Sequence, residues 1–149
     1  VPFEGKHGLF SDLKSGEMPN SCYVVPNQSR DRHGRGNAGP ACEYDPNDIG
    51  SQAGLNPGLI YEGDLVVETL VNTIHQSRAW HEGRNVIIVT WDENGYSVSP
   101  TINKVLSIVE TNYGDNGVAS HKYYNHFSLF KTMEAGRQPL AGLQFHYSF

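Results

Sequence analysis

The chain has 149 residues, enough for one domain with a hydrophobic core. A formal net charge of -5 excludes a sequence-independent affinity for nucleic acid, and no apolar run approaches the length of a membrane span. With 38% hydrophobic and 18% charged residues, the composition is that of a globular protein.

The first residues, VPFEGKHGLF, read as mid-domain sequence, and the chain opens on Val1. Both features give the expectation of a processed or partial chain. Residues 9–20, LFSDLKSGEMPN, predict a short helix. Ser11 is the candidate N-cap, Gly16 the stop, and Pro19 prevents continuation. SCYVVPNQ then predicts a short strand ended by Pro26 and Asn27.

Residues 28–58 form a long stretch dense in Gly, Asn, Asp and Pro, without apolar periodicity. Loops of that length are functional or disordered, and this one carries Asp31 and His33. Cys22 and Cys42 lie 20 positions apart on its two sides. A disulfide between them would contribute about 3 kcal/mol by the chain-entropy argument. Two free thiols in a reducing compartment are the alternative.

IYEGDLVVETLVNTIHQSRAW is the strongest helical pattern. Leu65, Val66, Val67, Leu70, Val71 and Ile74 make a broad apolar stripe at helical spacing. The spacing predicts a helix over 64–79, with Asp64 as N-cap and Gly83 closing the segment. NVIIVTW follows, β-branched and without alternation, which reads as a strand over 86–91 buried on both faces. It stops at Asp92 and Glu93. After a turn at Gly95 to Pro100, KVLSIVET predicts a strand over 104–110. YYNHFSLFKTMEAG predicts a helix over 126–135, with Phe127, Phe130 and Met133 as anchors and Gly136 as C-cap. The sum is an α/β chain: a mostly parallel sheet flanked by helices.

In such sheets, functional groups gather beyond the carboxyl ends of the strands. Asp31 and His33 follow the first strand, Asp92 and Glu93 the second, and His121 and His126 the third. Carboxylates with imidazoles suit a divalent cation such as Mg²⁺, Mn²⁺, Ca²⁺ or Zn²⁺. Each residue also has a plainer explanation. Asp92 and Glu93 can be turn residues, Asp31 can pair with a neighbouring arginine, and the histidines can be exposed. His7, His75, His81 and His146 read as structural or exposed.

VTWDENG after an apolar strand resembles the WD(D/E)NG motif of the bacterial and fungal phosphoesterase family, which contains acid phosphatases and phosphatidylcholine-type phospholipases C. YVVPNQSRDRHG is similar to that family's strand followed by PN and an Asp-x-His segment. YNHFSLFKTMEAG is similar to its His-containing helix start. The three motifs run in order over residues 23–136, and GLNPGLIYEGDLVVETLVNTIHQSRAWHEG fits the helix before the acidic strand.

The resemblance implies an alkaline-phosphatase-like α/β fold, with residues 1–149 as the C-terminal portion of an incomplete domain. It implies a metal-dependent hydrolase of phosphoric esters. Asp92, Glu93 and Asp31 become ligands of a divalent metal ion, and His33 and His126 become catalytic groups at the phosphoryl group. It also implies a phosphate-ester substrate and a secreted or periplasmic location, although no signal peptide is visible. The family's E-N-(R/H)-(S/T)-(F/Y) segment and its Ser or Thr nucleophile have no counterpart here, and RQPLAGLQFHYSF departs from the family after KTMEAG. A non-catalytic binding or structural domain derived from such an enzyme is therefore the second expectation.

Overall fold

The computed structural model of the protein describes residues 3–27, 30, 57–94, 102–114 and 117–136. The chain divides into two units, 1–114 and 115–149.

The first unit begins with helix α1, Leu9–Ser15. Its N-cap is Gly8, ahead of the expected Ser11, and no side chain caps it. Ser11 sits inside the helix and donates from Oγ to the carbonyl of Lys6 at 3.0 Å. Gly8 is required by crowding: a Cβ there would stand 2.5 Å from the Glu4 carbonyl oxygen and 2.6 Å from that of Phe3. Gly16 ends the helix as expected, at φ +79°, and donates to the Asp12 carbonyl. Leu13, on this helix, is 3% exposed and is the buried large hydrophobic among the described residues.

Helix α2 covers Pro57–Gln76 and α3 covers Arg78–His81. The expected start at Asp64 is too late: Pro57 occupies the first helical position, where its missing N–H costs nothing and its fixed φ fits. Ser77, 6% exposed, divides the two helices. Its backbone is extended, its Oγ donates to the Ile74 carbonyl at 2.6 Å, and that same Oγ accepts from Trp80 N–H at 3.3 Å. The buried hydroxyl is thus satisfied on both sides while it caps α3. Helices α1, α2 and α3 pack on one another.

Strands β1, Val86–Thr90, and β2, Ser107–Thr111, pair antiparallel from Val86↔Thr111 to Thr90↔Ser107. The expected mostly parallel sheet is overturned: among the described residues the sheet has two strands, and they run antiparallel. The alkaline-phosphatase-like architecture implied by the resemblance is overturned with it. A parallel pair needs a crossover, usually a helix, whereas an antiparallel pair needs only a loop. The described residues between β1 and β2, 91–94 and 102–106, contain no helix. Burial on both faces also fails. Val109 is 59% exposed, and both ends of β1 reach solvent. Residues 22–26, expected as a strand, are irregular, with Tyr23 88% exposed.

Among the described residues, side-chain amides tie this hairpin to the helices. Asn85 Nδ2 donates to the carbonyls of Ala79 at 2.8 Å and Glu82 at 2.9 Å. Asn112 Nδ2 donates to the carbonyls of Trp80 at 2.6 Å and Gly83 at 3.0 Å. Carbonyls left over at the end of α3 thereby find donors. His75, on α2, stacks against Trp80 with ring centroids 5.1 Å apart. Its Nε2 stands 2.9 Å from Glu110 Oε1. That approach is an ion-pair distance without hydrogen-bond alignment, since the buried Nε2 completes no hydrogen bond.

In the second unit, α4 covers His126–Gly136, in agreement with the sequence. Asn125 caps it: Oδ1 accepts from Ser128 N–H at 2.9 Å, and Ser128 Oγ accepts from Asn125 N–H at 3.4 Å. This reciprocal pair is a capping box with Ser in the place of Glu.

Candidate functional site

The paired residues of β1 and β2 share one sum of residue numbers, 197. Continued past both ends of the ladder, that register sets Asn85 against Asn112 and Asn94 against Asn103. Both asparagine pairs are bonded, and in the same way. Asn85 N–H donates to Asn112 Oδ1 at 2.8 Å, and Asn94 N–H donates to Asn103 Oδ1 at 2.7 Å. The hairpin is bracketed by these two pairs. At the Asn85 end a backbone bond, from Asn112 N–H to the Asn85 carbonyl at 3.2 Å, runs beside the side-chain bond, whereas past Thr90 the Asn94 N–H bond is to a side chain.

Asp92 and Glu93 lie just inside the second bracket, and both are exposed. Asp92 Oδ1 accepts from the Glu93 N–H at 2.9 Å, which orients that carboxylate against its own backbone. Thr90 Oγ1 donates to the Leu106 carbonyl at 3.1 Å, and Asn94 Nδ2 donates to the Ile102 carbonyl at 2.5 Å. The Ile102 carbonyl also accepts from Lys104 N–H at 3.1 Å, a three-residue turn with Asn103 at its apex. Two adjacent carboxylates are thus carried on a short segment fastened at both of its ends.

The other expected site residues are distributed unevenly. Asp31 and His33 lie outside the described residues, as does Cys42. His126 is the first residue of α4, half-buried, and belongs to the second unit, whereas Asp92 and Glu93 belong to the first. His121 is exposed. Cys22 is exposed, and its thiol titrates above the ordinary thiol value because of partial desolvation first and the Asp12 carboxylate second.

As donors, Asp92 and Glu93 have the hard-oxygen chemistry that Mg²⁺, Mn²⁺ or Ca²⁺ takes. Their number falls short of a closed site: among the described residues no group of three or more His, Cys, Asp or Glu is placed to hold a metal ion. No helix among the described residues is long and apolar enough to cross a membrane.

The asparagines are the part of this arrangement that sequence reasoning misses. A signal is present, since Asn stands immediately before β1 and immediately after β2. Its meaning depends on the antiparallel register, which a parallel assignment hides.

Neither a scan against protein-family models nor searches of curated proteins and solved structures returned a match to this chain.

Proposed function

We propose that the chain is part of a metal-dependent hydrolase of phosphoric esters, of the acid phosphatase or phospholipase C kind. The observation that carries the reading is the Asp92–Glu93 pair, held on a fastened segment at the end of β1. Ordered sequence motifs on either side of that pair support it. In this reading Asp92, Glu93 and Asp31 bind a divalent cation. The cation, when bound, neutralises phosphoryl charge and activates a nucleophile. His33 and His126 hold phosphoryl oxygens or give a proton to the leaving alkoxide near neutral pH. In this reading the protein acts in the periplasm or outside the cell.

A second reading is a binding or structural module derived from such an enzyme. It is favoured by the absence, among the described residues, of any three-donor metal group.

The test is hydrolysis of p-nitrophenyl phosphate and bis(p-nitrophenyl) phosphate by the full-length gene product, with Mg²⁺, Mn²⁺, Ca²⁺ or Zn²⁺ and after chelation. Cation-dependent turnover lost in Asp92→Ala and in His126→Ala is the expected result. Absence of turnover with every cation, or turnover unchanged in Asp92→Ala, would sink the enzyme reading.

A further inference from the structure

We propose that the outer edge of β2 pairs antiparallel with the same edge of a second copy of this chain, about a two-fold axis at Ser107. The proposal goes beyond the enzymatic reading and does not depend on it.

The ladder shows which backbone groups are available. Asn112 N–H donates to the Asn85 carbonyl at 3.2 Å, so Asn85 and Asn112 form a hydrogen-bonded pair in the β1–β2 register. Such pairs alternate along an antiparallel ladder. Ile87↔Glu110 and Val89↔Ile108 are therefore hydrogen-bonded pairs, whereas Ile88↔Val109 and Thr90↔Ser107 are not. The N–H and C=O of Ser107 and Val109 then point away from β1, and by the same alternation so do those of Val105. Among the described residues β2 has no neighbour on that side. Leu106 and Ile108 are exposed, as is Val109. An open edge is a template for a further strand, and a lone two-stranded hairpin gains stability from one.

The sequence of the edge says which strand fits. Residues 104–110 read KVLSIVE, chemically symmetric about Ser107. In an antiparallel pair centred there, Val105 meets Val109 of the second copy, Leu106 meets Ile108, and Ser107 meets Ser107. Lys104 meets Glu110, twice by symmetry. Outward backbone groups face outward backbone groups throughout. A slip of one residue sets outward groups against inward ones. A slip of two keeps the alternation but sets Glu110 opposite Leu106 or Ile102 and loses both charge pairs. Glu110 Oε1 already faces His75 Nε2 at 2.9 Å, and a carboxylate has acceptor room for a second partner. The product is a closed pair with a four-stranded sheet, β2 beside β2 at its centre. The outer edge of β1 suits this less: its three central residues are half-buried, and Arg84 lies over the Tyr113 ring at 5.2 Å.

The experiment is sedimentation equilibrium of the full-length gene product over a range of concentrations at low ionic strength. Wild type is compared with Lys104→Glu, Glu110→Lys and Ser107→Pro. Circular dichroism checks folding. Wild type should dimerise. Each charge reversal sets like charges opposite each other in both pairs and should weaken the dimer about tenfold or more. An equal mixture of the two reversals should recover it. There the introduced charges face one another, and Lys104 of one chain faces Glu110 of the other. Ser107→Pro removes an outward N–H that the β1–β2 ladder does not use and should leave a monomer. If that variant does not fold, the charge reversals and their mixture decide alone. A wild-type monomer at every concentration overturns the proposal. So does a dimer that either charge reversal leaves unchanged, since it uses another surface, the β1 edge included. A mixture no tighter than the separate variants overturns the register.

Discussion

The two ends of the β1–β2 hairpin use one device for different purposes. At each, an amide N–H on the β1 side donates to the Oδ1 of an asparagine on the β2 side. At the Asn85–Asn112 end, the two side-chain amides go on to reach carbonyls at the close of α3. At the Asn94–Asn103 end, the bonds close on the hairpin's own residues, and the exposed carboxylates lie beside them. The first end ties the hairpin to the helical layer and satisfies partly buried backbone groups. The second fixes the shape of a more exposed segment. Burial decides the difference. A partly buried carbonyl that loses its donor costs about 1–3 kcal/mol, whereas an exposed one regains a water partner. Stability should therefore reside at one end and chemistry at the other.

The largest effect expected from breaking this division is on turnover. Asp92→Ala should lower cation-dependent phosphoester hydrolysis by the full-length gene product by at least about a thousandfold, near 4 kcal/mol of barrier. Unfolding temperature without cation should stay the same or rise, because Asp92 sits beside the like charge of Glu93 on an exposed segment. Added cation should stabilise wild type by mass action and the variant less. Steady-state kinetics and thermal melts with and without Mn²⁺ check both halves. A large loss of metal-free stability would show that the open end holds the fold after all.

Next in size is Asn112→Ala. It removes the acceptor of Asn85 N–H and the donor to the Trp80 and Gly83 carbonyls. About 2 kcal/mol of stability should be lost, roughly 4–8 °C in melting temperature for a chain of this size. Scanning calorimetry measures it. A shift below about 1 °C would mean that the hairpin does not depend on these bonds for its attachment.

His75→Ala refines the same point. His75 contributes its stack on Trp80 and its approach to Glu110. With His75 and Glu110 side chains 35% and 43% exposed, the charge contribution is screened, and packing should account for most of a loss of about 1 kcal/mol. Glu110→Gln, which keeps the shape, should cost less than about 0.5 kcal/mol. Equal losses in the two variants, read from urea denaturation, would shift the weight from packing to charge.

How far the sequence can foresee this division depends on the kind of signal each part leaves. Leu65 to Ile74 at helical spacing, and the Val86–Val89 run, mark α2 and β1 because local periodicity is carried by the residues themselves. Gly16 marks the end of α1 because its left-handed backbone stops the helix. The start of α2 is harder to place, because Asp64 looks like a cap while Pro57 adjoins the Gly/Asn-rich stretch before it. Strand direction misleads because an apolar run without alternation is ordinary for a buried parallel strand. Here that run leaves Val86 partly in solvent, as its partner strand leaves Val109. Asp92 and Glu93 are legible as adjacent carboxylates at a strand end. Asn103 is not, since nothing local distinguishes it, and only the shared register of β1 and β2 places it against Asn94.

The smallest expected effect is the most discriminating for the comparison. Asn103→Ala removes one acceptor from the Asn94 N–H and leaves the Asn94–Ile102 bond in place. Asn103 is exposed, so water replaces the lost oxygen, and the net cost of an exposed hydrogen bond is small. The stability change should be under about 0.5 kcal/mol, within the range of ordinary surface substitutions. Amide hydrogen exchange should nevertheless speed up at Asn94 and stay unchanged at the ladder positions Ile88 and Val109, which pair with each other. This variant and Asn112→Ala both delete the Oδ1 that accepts an amide across the hairpin. Asn112→Ala also deletes the donor to the Trp80 and Gly83 carbonyls, so the comparison weighs the partly buried bracket with its helix contacts against the exposed one. Similar losses from the two would mean that the bond itself, rather than burial, sets its worth. A loss confined to Asn112→Ala would leave the Asn94–Asn103 bracket with local order, around Asp92 and Glu93, as its measurable contribution.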